Sequence, residues 1–173
     1  VRVVLAVGGA MSLQNSILHW CSDHRIHHRH VDDNEHDPYS AKKGFWYSHI
    51  GWMLREYQAS RYSDYTNVRD IQKDPIVAWQ HKYYFQLMIL MNVGIPLAFG
   101  LWHGNILNSL LLVGFLRLVL SHHTTFFINS LAHTWGKQTY TDKNTARDNG
   151  FLAFLTFGEG YHNFHHIFEN DYR

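Results

Sequence analysis

Histidines gather in three clusters that lie far apart in the sequence, and two of these clusters share the spacing H-x-x-H-H. The first cluster contains His24, His27 and His28, the second contains Asn129 and His133, and the third contains His162, His165 and His166. Positions i, i+3 and i+4 of an α-helix fall within about 100° of arc, so each triplet can direct its imidazoles to one side. Because neutral imidazole is the commonest side-chain ligand of metal ions, the repeated triplet predicts a metal site. One triplet alone would fit a solvated basic helix equally well.

The middle cluster is part of a polar stripe near the end of an apolar segment. Thr125, Asn129 and His133 are spaced i, i+4 and i+8. Polar groups at membrane depth are costly unless they face a site, so we expect His133 to do so, whereas Thr125 alone would fit ordinary helix packing. The imidazoles of the three clusters are too many for one tetrahedral zinc and too few to saturate two metals. Imidazole binds iron, zinc, copper and nickel, so the spacing leaves the metal open.

Composition limits the other classes of function. The chain has 173 residues, enough for one domain, and a formal net charge of +1, so it lacks the basic field that nucleic-acid binding requires. Cys21 is the single cysteine, which excludes an internal disulfide and a metal site built from several cysteines. We interpret Cys21 as a small packing residue.

A transmembrane hairpin is predicted at about residues 83–128. Residues 83–102 carry no charge and are long enough to span a bilayer, and residues 106–120 are apolar apart from Arg117. The mean hydropathy of −0.29 would fit a soluble protein with an apolar hairpin, but this average mixes polar and apolar segments. The hairpin returns the chain to the side it left, which puts the first and third clusters on one face of the membrane. That face is predicted to be cytoplasmic, because basic residues flank the hairpin and are missing from its turn: Arg69, Lys73, Lys82, Lys137, Lys143 and Arg147.

Several motifs surround the histidines in a fixed order along the chain. They are M-S-L-Q-N at residues 11–15, D-H-R-I-H-H at 23–28, D-P at 37–38, K-G-F-W-Y-S-H-I-G-W at 43–52, N-S-L-A-H at 129–133 and E-G-Y-H-N-F-H-H at 159–166. Together with Trp20, these motifs resemble the integral-membrane fatty acyl desaturases over essentially the whole chain. The resemblance is greatest to the delta-nine type, which includes the stearoyl-CoA desaturases and their bacterial relatives.

The resemblance implies an all-α membrane protein, a transmembrane helical bundle with a cytosolic His-rich helical cap. It implies a non-haem diiron centre held by nine histidines and one asparagine that binds through water. The ligands matched here are His24, His27, His28, His133, His162, His165 and His166, with Asn129 as the water-linked residue. The family's first histidine box, H-x-x-x-x-H, does not occur before His24. We expect residues 1–173 to be a single desaturase domain truncated at both ends, because Val1 begins within an apolar run and Arg173 follows soon after the third cluster.

The implied reaction is the oxygen-dependent introduction of a cis double bond into a fatty acyl chain. By resemblance, Gln14, Trp20 and Thr125 shape the bend of the acyl tunnel, and Asn15 and Asp23 contact the head group of the acyl carrier. Trp20 precedes His24 by four residues, which places it beside the histidine stripe.

The acyl carrier and the electron donor stay open. Ser22 stands where animal acyl-CoA desaturases have a basic residue, so acyl-lipid and acyl-carrier-protein substrates remain alternatives to acyl-CoA. The expected partners are the membrane and an external electron donor, which could be cytochrome b5, ferredoxin or a reductase.

Two other functions remain open on the sequence, a diiron lipid hydroxylase with similar histidine boxes and a non-catalytic membrane protein that binds or transports metal. We interpret Glu35 and Asp37 as solvated loop residues rather than ligands. Among the histidines outside the motifs, His122 is the strongest additional candidate ligand, because it extends the stripe of Thr125, Asn129 and His133 by about one turn.

Overall fold

The computed structural model describes residues 1–54 and 64–171, and helices make up the regular structure of these ranges. The α-helices there are α1 (Arg2–Gly9), α2 (Ile17–His30), α3 (Phe45–His49), α4 (Arg69–Gln72), α5 (Pro75–Lys82), α6 (Tyr84–Ile89), α7 (Ile95–His103), α8 (Ile106–Ser109), α9 (Arg117–Ser130), α10 (Gly150–Leu155) and α11 (His162–His165). Short 3₁₀ turns are Ala10–Ser12, Ala41–Lys43, Gly51–Leu54, Thr66–Val68 and Leu131–His133, and π-helical turns are Leu90–Gly94 and Leu110–Leu116. The predicted all-helical class is confirmed.

The chain divides into two compact units. The first comprises residues 1–23 and 60–122, and the second comprises residues 24–59 and 123–173. Helix α2 begins in the first unit and ends in the second. All of the predicted histidine ligands therefore belong to the second unit.

In the first unit, the chain breaks between α1 and α2. Leu13 and Asn15, which lie between these two helices, have φ angles of 54° and 71°. Residues in this left-handed region cannot continue a right-handed helix. The Ser16 hydroxyl then accepts a hydrogen bond from the backbone N–H of His19 at 3.3 Å, which caps the start of α2. Helix α2 is thereby a separate element with its own direction.

Helix α2 is held in the first unit by a small apolar core. Leu18, Val68 and Val77 are buried together, and Ile17 and Ile71 pack against them. Within α2, the hydroxyl of Ser22 donates to the Asn67 side chain at 2.8 Å. Apolar burial and the hydrogen bond between Ser22 and Asn67 thus fix the first half of the helix that carries the first histidine triplet.

Two long apolar helices form a hairpin. They run over Tyr84–His103 and Ile106–His133, and each is long and apolar enough to cross a membrane. Gly100 permits their close approach, because an added Cβ would lie 2.7 Å from the Cα of Ile106. The hydroxyl of Ser109 donates to the carbonyl of Pro96 at 2.6 Å across the pair.

Most of this apolar hairpin is exposed in the part of the chain that the structure describes. Only 22% of the most apolar window of the first helix and 11% of that of the second are buried. An apolar helix in the core of a soluble protein would be mostly buried, because exposed apolar surface is unfavourable in water.

Candidate metal centre

Seven imidazoles of the second unit converge in two groups. His27, His133, His162 and His166 form a buried group of four, and His24, His28 and His165 form a half-buried group of three. In each group the candidate ligand atoms lie within 4.8 Å of one another. The structure thus brings together every histidine that the motifs predicted as a ligand.

The two triplets divide between the groups in opposite ways. In the first triplet, His24 and His28 enter the group of three while His27 enters the group of four. In the third cluster, His162 and His166 enter the group of four while His165 enters the group of three. Residues i and i+4 of a helix lie above one another, whereas residue i+3 is displaced around the axis. The spacing H-x-x-H-H therefore lets one helix supply ligands to two adjacent sites.

The contacts within the group of four cannot all be hydrogen bonds. The Nε2 atom of His162 lies 3.1 Å from that of His133 and 3.1 Å from that of His166, which in turn lies 3.3 Å from that of His27. One imidazole nitrogen carries either one proton or one lone pair, so it can make only one such bond. His162 and His166 each make two contacts. A cation shared by the lone pairs satisfies all of them at once.

The distances also fit a metal ion. Two imidazole nitrogens that bind one ion at about 2.1 Å lie roughly 3.0 Å apart at a right angle and roughly 3.4 Å apart at the tetrahedral angle. In the group of three, the Nε2 atom of His165 lies 3.0 Å from that of His28 and 3.4 Å from that of His24. The donor set of both groups therefore fits a transition metal that accepts imidazole.

Carboxylates hold two of the imidazoles in the tautomer that a metal requires. The Nδ1–H of His27 donates to Asp37 at 2.8 Å. The Nδ1 of His133 lies 2.9 Å from the hydroxyl of Thr145, which itself donates to Asp32 at 2.6 Å and so accepts from the imidazole. With the proton on Nδ1, each Nε2 presents a lone pair to the centre of the group.

Asp37 lies inside the site. Its side chain is 1% exposed, and its Oδ2 accepts the backbone N–H of Asp32 at 3.0 Å. The interpretation of Asp37 as a solvated loop residue was wrong, because the loop after α2 folds back beneath His27. Glu35 is exposed as predicted. Burial raises the pKa of Asp37 to about 6, so the carboxylate is mainly ionised at neutral pH.

Burial holds four of the imidazoles neutral. Burial, reinforced by the neighbouring histidines, lowers the pKa values of His24 and His27 to about 3. Burial likewise lowers the pKa values of His162 and His166. A cluster of buried imidazoles cannot accept several protons without strong repulsion. At neutral pH, these four imidazoles therefore offer uncharged nitrogen donors to a cation.

Asn163 positions the third histidine cluster against the loop that carries Thr145. It is fully buried; its Oδ1 accepts the backbone N–H groups of Tyr140 and Thr141 at 2.8 and 3.1 Å. Its Nδ2 donates to the carbonyls of Thr141 and Ala146 at 2.8 and 2.9 Å. Every hydrogen-bonding position of this amide is used. Gly160 adds to this fit, because an added Cβ would overlap the backbone of Ala153.

Replacing Asn163 with alanine is expected to destabilise the protein by about 3 kcal/mol or more, because it leaves several buried backbone groups unpaired at roughly 1–3 kcal/mol each. Thermal unfolding of the purified full-length protein measures this. Asp142→Ala on the same loop is the matched control, since Asp142 is exposed. Equal melting temperatures for the two variants would contradict the conclusion that Asn163 holds the third histidine cluster against the loop that carries Thr145.

The remaining predicted residues lie outside the two histidine groups. Asn129 and Thr125 are half-buried in α9 of the second unit. Gln14, Asn15, Trp20 and Asp23 belong to the first unit. Gln14 is half-buried, and Trp20 is 43% exposed. Asp23 has a carboxylate oxygen 3.4 Å from Nε2 of His19.

His122 is in neither histidine group. It belongs to the first unit, where its Nε2 lies 2.8 Å from the carbonyl oxygen of Ser12. A further group, His30, Asp33 and His36, lies on the loop after α2. There Asp33 accepts the backbone N–H groups of Glu35 and His36 at 2.8 and 3.3 Å, which is an ordinary Asx turn.

The sequence did not predict Asp32, Asp37, Thr145 or Asn163 as parts of the site. The acidic stretch at residues 32–37 is evident in the sequence. The signal available for Asp37 was its position ten residues after His27. Thr145 contacts Asp32 across 113 positions of the chain, and no local pattern marks such a contact.

Comparisons with known proteins agree with this geometry. The family model described as fatty acid desaturase matches residues 1–171. The chain is 44% identical over 170 residues to a probable acyl-CoA desaturase of Schizosaccharomyces pombe and 42% identical over 174 residues to acyl-CoA desaturase 1 of Saccharomyces cerevisiae. It is 35% identical over 176 residues to stearoyl-CoA desaturase 5 of Bos taurus.

These alignments cover 98%, 100% and 99% of the chain, respectively. They cover 35% and 34% of the two fungal proteins and 52% of the bovine protein. The chain thus spans between a third and about half of the length of these relatives. On the family match and the histidine motifs that converge in the structure, the chain belongs to the fatty acid desaturase family.

Proposed function

We propose that the protein containing this chain introduces a cis double bond at the delta-nine position of a fatty acyl chain, with acyl-CoA as the substrate. The observation that carries this proposal is the convergence of the seven motif histidines into two Nε2 groups. The names of the relatives, which are acyl-CoA and stearoyl-CoA desaturases, support the choice of acyl carrier.

We infer that each histidine group holds one iron ion of a non-haem diiron centre, with Asn129 contributing through a water molecule. The metal, when bound, supplies the activation of O₂ and the removal of hydrogen from unactivated methylenes, which no amino-acid side chain can perform. The overall reaction converts O₂, two electrons, two protons and a saturated chain into a cis alkene and two water molecules. The electrons come from an external donor such as cytochrome b5, ferredoxin or a reductase.

The chain's own residues orient the ligands and position the substrate. Asp37 fixes the ring of His27, and Thr145 with Asp32 fixes the ring of His133. Methylenes along an acyl chain are chemically alike, so the choice of one pair depends on how the protein holds the chain. We assign that task to Gln14, Trp20 and Thr125.

We assign contacts with the carrier head group to Asn15 and Asp23. Animal relatives have a basic residue at the position of Ser22. Ser22 cannot contact the head group, because it is 3% exposed and its hydroxyl donates to Asn67 at 2.8 Å. An acyl-carrier-protein or acyl-lipid substrate is therefore an alternative that the substrate assay must include.

We propose that both apolar helices cross the membrane and that the metal centre lies on the cytoplasmic side. The low burial of the two helices and the basic residues on both flanks of the hairpin support this arrangement. A lipid substrate and a cytoplasmic electron donor would then approach the same site from the membrane and from water.

Fatty-acid analysis of a desaturase-deficient host that expresses the full-length protein tests the function. We expect monounsaturated delta-nine products, identified by gas chromatography with double-bond localisation, and no such products from His165→Ala. Hydroxylated fatty acids would indicate a lipid hydroxylase instead. An unchanged fatty-acid profile together with bound metal would favour a non-catalytic metal-binding protein.

A further inference from the structure

Arg117 is a charged residue within the second apolar helix, and the function proposed above gives it no role. Each nitrogen of its guanidinium makes a hydrogen bond. Nε donates to the carbonyl of Val113 at 3.1 Å, Nη1 to the carbonyl of Met11 at 2.6 Å and Nη2 to Oδ1 of Asn92 at 2.6 Å. Ionisable residues within membrane helices are costly, and they commonly mark functional positions.

Asn92 and His122 contact the same backbone segment as Arg117, residues 10–12. The Nδ2 of Asn92 donates to the carbonyl of Ala10 at 3.2 Å, and the Nε2 of His122 lies 2.8 Å from the carbonyl oxygen of Ser12. Three consecutive carbonyls, at residues 10–12, therefore contact three different side chains of the hairpin. These carbonyls end the helical run that begins with α1, where backbone acceptors lack helical partners and a positive charge is favourable.

The chain turns immediately after these anchored carbonyls. Leu13 and Asn15 adopt left-handed φ angles of 54° and 71°, and Gln14 between them is half-buried. The hairpin thus fixes the backbone directly before Gln14, and the position of residues 13–15 depends on the polar contacts of Arg117 and Asn92.

We propose that Arg117 and Asn92 are positioning residues that set the place of Gln14 and Asn15 and thereby determine which methylene pair of the acyl chain is desaturated. This inference rests on the proposed function, since it requires Gln14 and Asn15 to face the substrate. It assigns to the hairpin a share in regioselectivity and chain-length preference as well as in membrane anchoring.

The geometry distinguishes the shape of the arginine from its charge. The planar guanidinium contacts three acceptors that belong to Val113, Met11 and Asn92. A lysine ammonium is a compact point charge and cannot reproduce that fork. Arg117→Lys therefore keeps the positive charge but loses the simultaneous hydrogen bonds to Val113, Met11 and Asn92. Asn92→Ala loses the contacts with Arg117 and Ala10 and leaves the charge of Arg117 in place.

The test uses the full-length protein in a desaturase-deficient host and compares wild type, Arg117→Lys, Asn92→Ala and Asn108→Ala. Asn108 is exposed on the same hairpin and serves as the matched control. The measured quantities are the ratio of double-bond positions, the ratio of product chain lengths and the iron content per polypeptide. We expect Arg117→Lys and Asn92→Ala to change a product ratio by about threefold or more while iron content stays at the wild-type value, and Asn108→Ala to change neither.

Product ratios equal to wild type in both variants would overturn the proposal, whether or not total activity falls, because a purely structural role lowers yield without changing product identity. Asn92→Ala is the milder change and keeps the test decisive if Arg117→Lys does not accumulate. A wild-type protein that makes no unsaturated product would instead overturn the proposed function, and this inference with it.

Discussion

Replacing His162 with alanine is expected to lower the desaturation rate of the full-length protein by more than about 100-fold and to remove iron from it. The Nε2 of His162 lies 3.1 Å from those of both His133 and His166, so it is central to the group of four. Loss of a residue that only orients a ligand typically costs 10–100-fold in metal affinity or activity, and loss of a ligand should cost more. Product analysis and the iron content of the purified protein measure the two effects.

His103→Ala is the matched control for this variant. It makes the same substitution at an exposed histidine at the end of α7, outside both histidine groups. We expect its activity and iron content to stay within about twofold of wild type, since surface changes away from a site have small effects. Wild-type iron and activity in His162→Ala would rule out the assignment of the group of four as a metal site.

Asp37→Asn is expected to lower activity or iron affinity by about 10–100-fold, the usual effect of losing the partner of a ligating histidine. The Asp37 carboxylate accepts the Nδ1–H of His27 at 2.8 Å and can accept only. An amide can turn its NH₂ group towards Nδ1 and stabilise the other tautomer, in which Nε2 carries the proton and cannot bind a metal. Iron titration of the metal-depleted full-length protein measures the change in affinity.

Asp33→Asn provides the matched control in the same loop. Asp33 lies closer to the surface and forms a turn with Glu35 and His36. The substitution changes charge by the same amount as Asp37→Asn, so an electrostatic effect of lost charge alone would appear in both variants. If Asp37→Asn bound iron as tightly as Asp33→Asn, the carboxylate would have no role in holding His27.

The helical placement of the ligands was predictable from sequence because spacing alone determines it. The triplets H-x-x-H-H lie at the end of α2 and over α11, with His166 directly after α11. The division into groups of four and three was not predictable, because it depends on how α11 lies against α2. Two helices with the same motif contribute opposite pairs, and only their packing decides which residue enters which group.

The polar residues that orient the histidines were not predictable from local sequence either, because their contacts depend on how the chain packs. Asp37 belongs to an acidic stretch that is typical of a solvated loop, yet the fold buries it against His27. Thr145 and Asn163 act through contacts with backbone and side chains distant in sequence. The break at residues 13–15 was likewise not predictable from Leu13, because leucine rarely adopts the left-handed conformation that it has here.

The measurement that tests the account most directly is the number and kind of metal ions per polypeptide in the purified full-length protein. Elemental analysis is expected to find two iron ions in the wild type and a loss of iron in variants of either group, such as His28→Ala from the group of three and His166→Ala from the group of four. A wild-type protein that holds a single ion, or that holds zinc and no iron while producing unsaturated fatty acids, would contradict the assignment of the two histidine groups as a diiron centre.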